Sequence, residues 1–324
     1  MSEYRIYKVT KDEEYWQIRD FLREVWRLTN DKTLNWNIAR LDYFRWHVFG
    51  NCYEKNLLDY LHICENDARI IAVLISDSPG GYMLQVHPNF YQAELFDALL
   101  QYYDTVIVPG ESIKRGHIPV EIDESIMEAG FQKAGFTPGK FMEFRREADL
   151  SKVSVEYSLP EGFIIRSLGE ADELPARSWA SWRAFHPDES NEKYEGWEWY
   201  FNIQRCPLYK RDLDLVCIAP DGKIASFCTI WYDDYNRTGL FEPVGTNPDY
   251  WRKGLAKALI KEGFKRLKAL GAEKAYVDSY EEPAHSLYEN AGFKTVKIMK
   301  TWNKKYSWNH VSKRKEDSIN TVLF

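Results

Sequence analysis

The sequence has no apolar run near the roughly 18 residues that a membrane span requires. Its first residues, Met1-Ser2-Glu3-Tyr4-Arg5, hold no signal-peptide apolar core. Together these absences make a cytoplasmic protein with no membrane partner the expectation. Positive charge is also short: 43 Lys and Arg stand against 49 Asp and Glu, a net charge of −6, which argues against a broad nucleic-acid partner. A cationic substrate is compatible with that balance. Cysteine is scarce and unpatterned. Cys52, Cys64, Cys206, Cys217 and Cys228 form no Cys-x-x-Cys pair and are odd in number, so they read as buried structural thiols rather than as disulfides or metal ligands. What is present is the composition of a soluble globular protein, 44% apolar and 28% charged, over 324 residues, enough for about two domains.

In chain order, residues 5–9 read as a strand and 12–27 as a helix capped by Asp12. An aromatic helix over 36–51 follows, then strands over 57–64, 69–75 and 82–86, with a turn at Ser78-Pro79-Gly80-Gly81. A helix over 90–102, a strand at Val106-Ile107-Val108, a helix over 124–133 and a strand over 136–145 close the first half. A polar stretch ending in Pro160-Glu161-Gly162 reads as a linker. The same order then recurs: strand 163–166, helices 170–182 and 191–203, and strands 213–219 and 223–232 joined by Pro220-Asp221-Gly222. A turn over 233–238, a strand and helix over 240–260, a strand over 275–278, a helix over 283–290 and a strand over 293–301 complete it.

The recurrence holds residue by residue. Val86-His87-Pro88-Asn89-Phe90-Tyr91 lies 160 positions before Thr246-Asn247-Pro248-Asp249-Tyr250-Trp251 (246 against 86). Lys133-Ala134-Gly135-Phe136 lies 157 before Asn290-Ala291-Gly292-Phe293 (290 against 133). Two matches at nearly one spacing, among elements in one order, indicate two copies of an αβ domain. The expected division is a first copy at 1–147, a linker at 148–161, a second copy at 162–306 and a polar tail at 307–324 that ends Val322-Leu323-Phe324.

The copies differ where chemistry would sit. In the second, Pro248 bars a helix before it, and apolar residues at helical spacing begin after Gly254. A helix opening on Gly254 and Ala256 leaves its first amides uncovered, with a partial positive charge suited to a phosphate. In the first copy Glu94 and Phe96 stand there, expected to repel and to block. Glu242 corresponds to Tyr82, and Tyr288 to Phe131. Lys253, Lys257, Lys261 and Lys265 read as a solvated stripe, with Lys253 nearest the phosphate position.

These residues resemble the GNAT superfamily of acyl-CoA-dependent N-acetyltransferases. Trp251-Arg252-Lys253-Gly254-Leu255-Ala256 is similar to the family's Gln/Arg-x-x-Gly-x-Gly/Ala signature, and the segment from Pro283 to Phe293 resembles its Ala-x-x-Leu-Tyr-x-x-x-Gly-Phe run. Trp251 departs from the usual Gln or Arg, and Glu281 from the usual Asn. The resemblance implies an α/β (α+β) chain of two tandem GNAT-like domains, each a mixed, mostly antiparallel twisted sheet flanked by helices. It implies a V-shaped cleft between the fourth and fifth strands of the second copy. Acetyl-CoA, as co-substrate and without a metal, would lie against Val244, Gly245, Thr246, Trp251, Arg252, Lys253, Gly254, Leu255, Ala256, Lys257, Glu281, Ala284, Leu287 and Tyr288.

Direct attack of a primary amine on a thioester needs a proton acceptor, an oxyanion donor and an acid for the leaving thiolate. Glu242, a carboxylate on an apolar strand, is the expected base, unless it pairs with an Arg or Lys for structure; Asp278 is the second choice or an amine-orienting carboxylate. Tyr288 is the expected acid, against the alternative of a core tyrosine. His186, Trp231 and Asp233 are candidates for the acceptor pocket, with packing as the alternative for each. The acceptor, a small-molecule or peptide amine, is not legible, and a monomer or a homodimer fits equally. A non-catalytic acyl-CoA-binding sensor or scaffold is the rival function.

Overall fold

The computed structural model describes residues 4–29, 36–78, 81–107, 115–121 and 125–305. The Pro79-Gly80 turn, Val108 and the tail 307–324 lie outside the described residues. The first half runs β1 (Arg5–Lys8), α1 (Asp12–Thr29), α2 (Ile38–Tyr43) continued by a π-helical segment (Phe44–Cys52), β2 (Leu61–Asn66), β3 (Arg69–Ser78), β4 (Gly81–Val86), α3 (Ala93–Ile107), β5 (Arg115–Glu121), α4 (Ser125–Lys133) and β6 (Thr137–Asp149). The second repeats that order: β7 (Ile164–Ser167), α5 (Leu174–Phe185), α6 (Tyr200–Gln204), β8 (Asp214–Ile218), β9 (Ile224–Asp233), β10 (Thr238–Thr246), α7 (Leu255–Ala269), β11 (Lys274–Ser279), α8 (Ala284–Ala291) and β12 (Lys294–Lys305). No helix among the described residues is long and apolar enough to cross a membrane.

The two halves share one mostly antiparallel sheet in the order β1-β2-β3-β4-β5-β12-β6-β11-β10-β9-β8-β7. At its centre each half gives its last strand to the other. β12 pairs antiparallel with β5 from Met299↔Glu121 to Lys305↔Arg115. β6 pairs antiparallel with β11 from Lys274↔Asp149 to Ser279↔Phe144. β6 and β12 also pair with each other. This exchange carries residues of the first half to the edge of the second half's cleft.

Local sequence explains the elements that frame the cleft. α1 opens with Asp12, Glu13 and Glu14 and buries Tyr15, Ile18, Leu22, Val25 and Trp26 along one stripe. Its cap is Glu14, whose carboxylate accepts from the Thr10 and Lys11 amides at 2.8 and 2.9 Å. Asp12, expected to cap, instead accepts from Trp16 Nε1 at 3.0 Å and pairs with Arg45. Arg19 then grips Asp42 with two 2.8 Å bonds, which ties α1 to α2.

Among the elements four expectations need correction. Residues Leu57–Tyr60 form a 3-10 turn, capped by the Asn56 side chain, rather than the start of a strand, and β2 runs on through Asn66. Val106 and Ile107 end α3 rather than form a strand; the apolar stripe of Leu95, Leu99, Leu100 and Tyr103 carries the helix through them, against their β propensity. The fifth strand is instead β5, whose Gly116 and Pro119 conceal it. Among the described residues β5 pairs with β4 at Gly81↔His117 alone, so most of that edge is unpaired, where a proline is tolerated. The aromatic segment 191–203 is a 3-10 turn at Asn191–Lys193 and the short α6, not one helix.

Candidate acyl-CoA and acceptor cleft

β10 is held against β9 by register pairs that jump from Phe241↔Ile230 to Val244↔Cys228, a bulge at Glu242-Pro243. On its other edge β10 pairs with β11, in parallel, only at Thr238↔Lys274, Gly239↔Ala275 and Leu240↔Tyr276. From Phe241 onward that edge has no strand partner among the described residues, and the two strands open into the V. Trp231 Nε1 donates to the Glu242 carbonyl at 2.5 Å, and Ser226 Oγ to the Gly245 carbonyl at 2.7 Å. These bonds fix the bulge and leave the edge from Val244 to Thr246 facing the cleft.

The turn after β10 builds the helix start. Asn247 accepts from the Asp249 amide at 3.2 Å, and Pro248 opens a single 3-10 turn. Arg252 (φ +62°) and Gly254 (φ +77°) are both left-handed, and Gly254 caps α7. The first helical backbone bond is Ala258 N–H to the Gly254 carbonyl at 3.0 Å. The amides of Leu255, Ala256 and Lys257 therefore have no backbone partner among the described residues. A Cβ on Gly254 would meet nothing within 4 Å, so the space before these amides is open. A pyrophosphate fits this end on charge, donors and room.

Trp251 is latched rather than free: its Nε1 donates to the Thr246 carbonyl at 2.8 Å while its ring stays half exposed. Arg252, Lys253 and Lys257 are exposed beside the opening. Lys261 departs from the solvated stripe; it is buried and donates to the Ser154 carbonyl at 2.7 Å, pinning the segment between the halves. Glu281 is exposed at the head of α8, and Ala284 and Leu287 pack half-buried into the second half's core.

In the first half the helix start is different in kind. The 3-10 turn at Pro88–Phe90 matches that at Pro248–Tyr250, but α3 already begins at Ala93, before the position of Gly254. No residue from 87 to 93 has a left-handed backbone. Phe96 turns into the core, 1% exposed, and so does not block the helix end. The first copy lacks the open turn itself, and Glu94 stands exposed on an ordinary first helical turn.

A cluster of charges forms the floor of the V. Asp278 on β11 accepts from Arg40 Nη1 at 2.5 Å and from Arg145 Nε at 3.3 Å. Arg40, from α2, also pairs with Glu143 of β6. The side chains of Arg40, Glu143, Arg145 and Asp278 are each under a tenth exposed. Burial works against the Asp278 charge, yet Arg145 and Arg40 overcome it and hold this carboxyl below its usual range. Glu242 is half-buried beside them, and its carboxylate has no hydrogen-bond or ion-pair partner among the described residues. Burial pushes its pKa up to about 8, with Arg40 opposing and Asp278 and Glu143 adding to the rise. Tyr288, 7% exposed, packs edge-on to Phe293 with ring centroids 5.9 Å apart. Burial, then Glu242, raises its phenol above the ordinary range, so it keeps its proton.

Of the acceptor candidates, Trp231 is fully buried, 5.9 Å from the Tyr43 ring of the first half. His186 ends α5 and stacks on Trp182 at 3.9 Å, with Nδ1 3.2 Å from the Trp182 carbonyl. Asp233 lies at the hairpin end of β9, away from the bulge, its oxygens held by Arg23 at 2.8 Å, Asn236 at 2.9 Å and the Tyr235 amide at 3.2 Å. The structure does not bring His186 or Asp233 into the cluster around Glu242. Arg40, Tyr43, Glu143 and Arg145 are the residues that sequence reading missed. The one signal was in β6, where Glu143 and Arg145 are charges two apart and so share a strand face.

A cleft between splayed parallel strands, closed at one end by a phosphate-ready helix start, is the architecture of an acyl-CoA-binding acyltransferase fold. Residues 173–293 match the family model for acetyltransferases of the GNAT family. In structure the chain is similar to a GCN5-related N-acetyltransferase from Sphaerobacter thermophilus, at 15% identity over 93% of this chain and 95% of that one, TM-score 0.64. It is equally similar to a tandem GNAT protein from the clavulanic acid biosynthesis pathway, at 11% identity over 96% of this chain and 100% of that one, TM-score 0.64. A GNAT-family acetyltransferase from Colwellia psychrerythraea follows, at 14% identity over 93% and 100%, TM-score 0.61. No curated protein sequence matches at a significant level. The second half carries a GNAT-family domain, and the chain as a whole has the tandem GNAT fold.

Replacing Tyr288 with Phe is expected to lower kcat about ten- to a hundredfold while leaving acetyl-CoA affinity within about threefold. Steady-state release of CoA and calorimetric binding check the two halves of that statement.

Proposed function

We propose that this protein is an acetyl-CoA-dependent N-acetyltransferase that moves an acetyl group to a primary amine within a ternary complex. The observation that carries the reading is the opening of β10 from β11 at the Glu242-Pro243 bulge, beside the uncovered amides of α7. We assign the acyl-CoA site to the second half, 162–306, and a supporting and wall-forming role to the first, 1–147.

Bound acetyl-CoA would supply the thioester. The amides of Leu255 to Lys257, with Lys253 and Arg252 near them, would hold its pyrophosphate. The open edge from Val244 to Thr246 would pair with its pantetheine arm, and the Val244 N–H would meet the carbonyl oxygen as charge develops there. Glu242 accepts the proton of the attacking amine. Tyr288 gives its phenolic proton to the departing sulfur. The raised proton affinity of Glu242 brings its strength as a base nearer to that of an amine.

The test is release of CoA over a panel of primary amines across a pH range. Activity is expected to climb through about pH 8 and level off above it, because Glu242 must be ionised to act. Tight acetyl-CoA binding with no turnover on any amine would instead favour the sensor reading.

A further inference from the structure

Deepening the reading above, on which it rests, we propose that Arg40 and Glu143, both from the first half, are positioning residues for the second half's reaction. They hold Asp278 in a closed ion-paired group and leave Glu242 as the carboxylate able to take the proton. The first half is thus part of the working cleft even though its own helix start has lost the open turn.

The geometry is built from three elements. α2 brings Arg40, which lies against the rings of Trp36 and Phe44 with its Cζ 4.9 and 5.6 Å from their centroids. The exchanged strand β6 brings Glu143 and Arg145 alongside Asp278, where Asp278 pairs in register with Arg145. β11 brings Asp278, whose two oxygens receive Arg40 and Arg145 separately. With Arg40 also on Glu143, both carboxylates of the group are engaged and Glu242 is not. Around Glu242 stand Arg40 and Tyr43 of α2, Glu143 of β6, Asp278 and Tyr280 of β11 and its end, Tyr288 of α8 and Cys228 of β9. Tyr43, Tyr280, Tyr288 and Cys228 are all pushed upward by burial first, so they stay neutral. The charges that act on Glu242 therefore come from the Arg40 group.

Two variants then act in opposite directions. In Arg40→Met an opposing cation is lost, so Glu242 holds its proton more tightly. Burial pushes the Glu143 carboxyl upward as well, and this carboxyl adds to the rise at Glu242; in Glu143→Gln that contribution is lost, so Glu242 holds its proton less tightly. The experiment titrates the ligand-free full chain labelled with 13C at the glutamate carboxyls, using Glu242→Gln to assign the resonance. It then records kcat/KM against pH by CoA release. The expected result is an upward shift of about one pH unit or more in Arg40→Met, a downward shift in Glu143→Gln, and a near-native midpoint in Arg40→Lys. The acid limb of kcat/KM should move with the resonance, and acetyl-CoA affinity should stay within about threefold. Glu143→Gln is nearly isosteric and carries the test alone if Arg40→Met does not fold. Unmoved midpoints, or shifts of one sign in both variants, overturn the inference. Opposite shifts in the resonance without turnover by the native chain would uphold the coupling and sink the acetyltransfer reading instead.

Discussion

Glu242→Gln is expected to lower kcat about a hundredfold or more at pH 8, with acetyl-CoA affinity changed by less than about threefold. General base catalysis by a positioned carboxylate is typically worth about 10² to 10⁴ in rate. Gln keeps the volume and removes the charge. The bulge itself does not depend on the side chain, because Trp231 binds the Glu242 backbone carbonyl. The proposed pyrophosphate contacts lie in a different place, at the start of α7. Chemistry and cofactor binding should therefore separate cleanly. The pH limb near 8 should vanish along with the rate, since the group that titrates there has gone. Should Asp278 be the base, Asp278→Asn would abolish turnover and Glu242→Gln would spare it. The ion pairs from Arg40 and Arg145 speak against that, because a carboxyl held below its usual range is a poor proton acceptor.

Gly254→Glu is expected to weaken acetyl-CoA binding about a hundredfold or more, which corresponds to about 2.7 kcal/mol. The substitution restores what the first half carries at Glu94. No clash is involved, since a Cβ at Gly254 would point into open space. Two other effects combine. A φ of +77° costs a non-glycine residue about 1 to 2 kcal/mol. A carboxylate also adds repulsion to a bound pyrophosphate. Gly254→Ala isolates the first effect and should fall between the two, about tenfold weaker than the native chain. Both variants should reach a near-native kcat at saturating acetyl-CoA, because Glu242 and Tyr288 are untouched.

Much of the fold was legible because it is written twice. Pro88 and Pro248 each open the same 3-10 turn, with His87 and Asn247 each accepting from the amide two residues on. Glycine at 254 marked the open helix start, and its replacement at 94 marked the copy without one. What stayed hidden is what one copy cannot show. The exchange of β6 and β12 depends on pairing between strands more than a hundred residues apart, and nothing local distinguishes it from two closed domains. β5 hid behind Gly116 and Pro119, residues that local reading assigns to loops. Arg40 was invisible for the same long-range reason: its partners Glu143 and Asp278 reach it only once the strands have crossed over. Phe96 misled in the opposite direction, since its bulk fills the core and the true loss lies in the backbone before it.

The central claim is that one fold is kept twice and its acyl-CoA site once. Calorimetric titration of acetyl-CoA into the full chain tests it most directly. The expected stoichiometry is about one per chain, with binding lost or weakened about a hundredfold in Gly254→Glu. A stoichiometry near two, or binding that Gly254→Glu leaves unchanged, would contradict it.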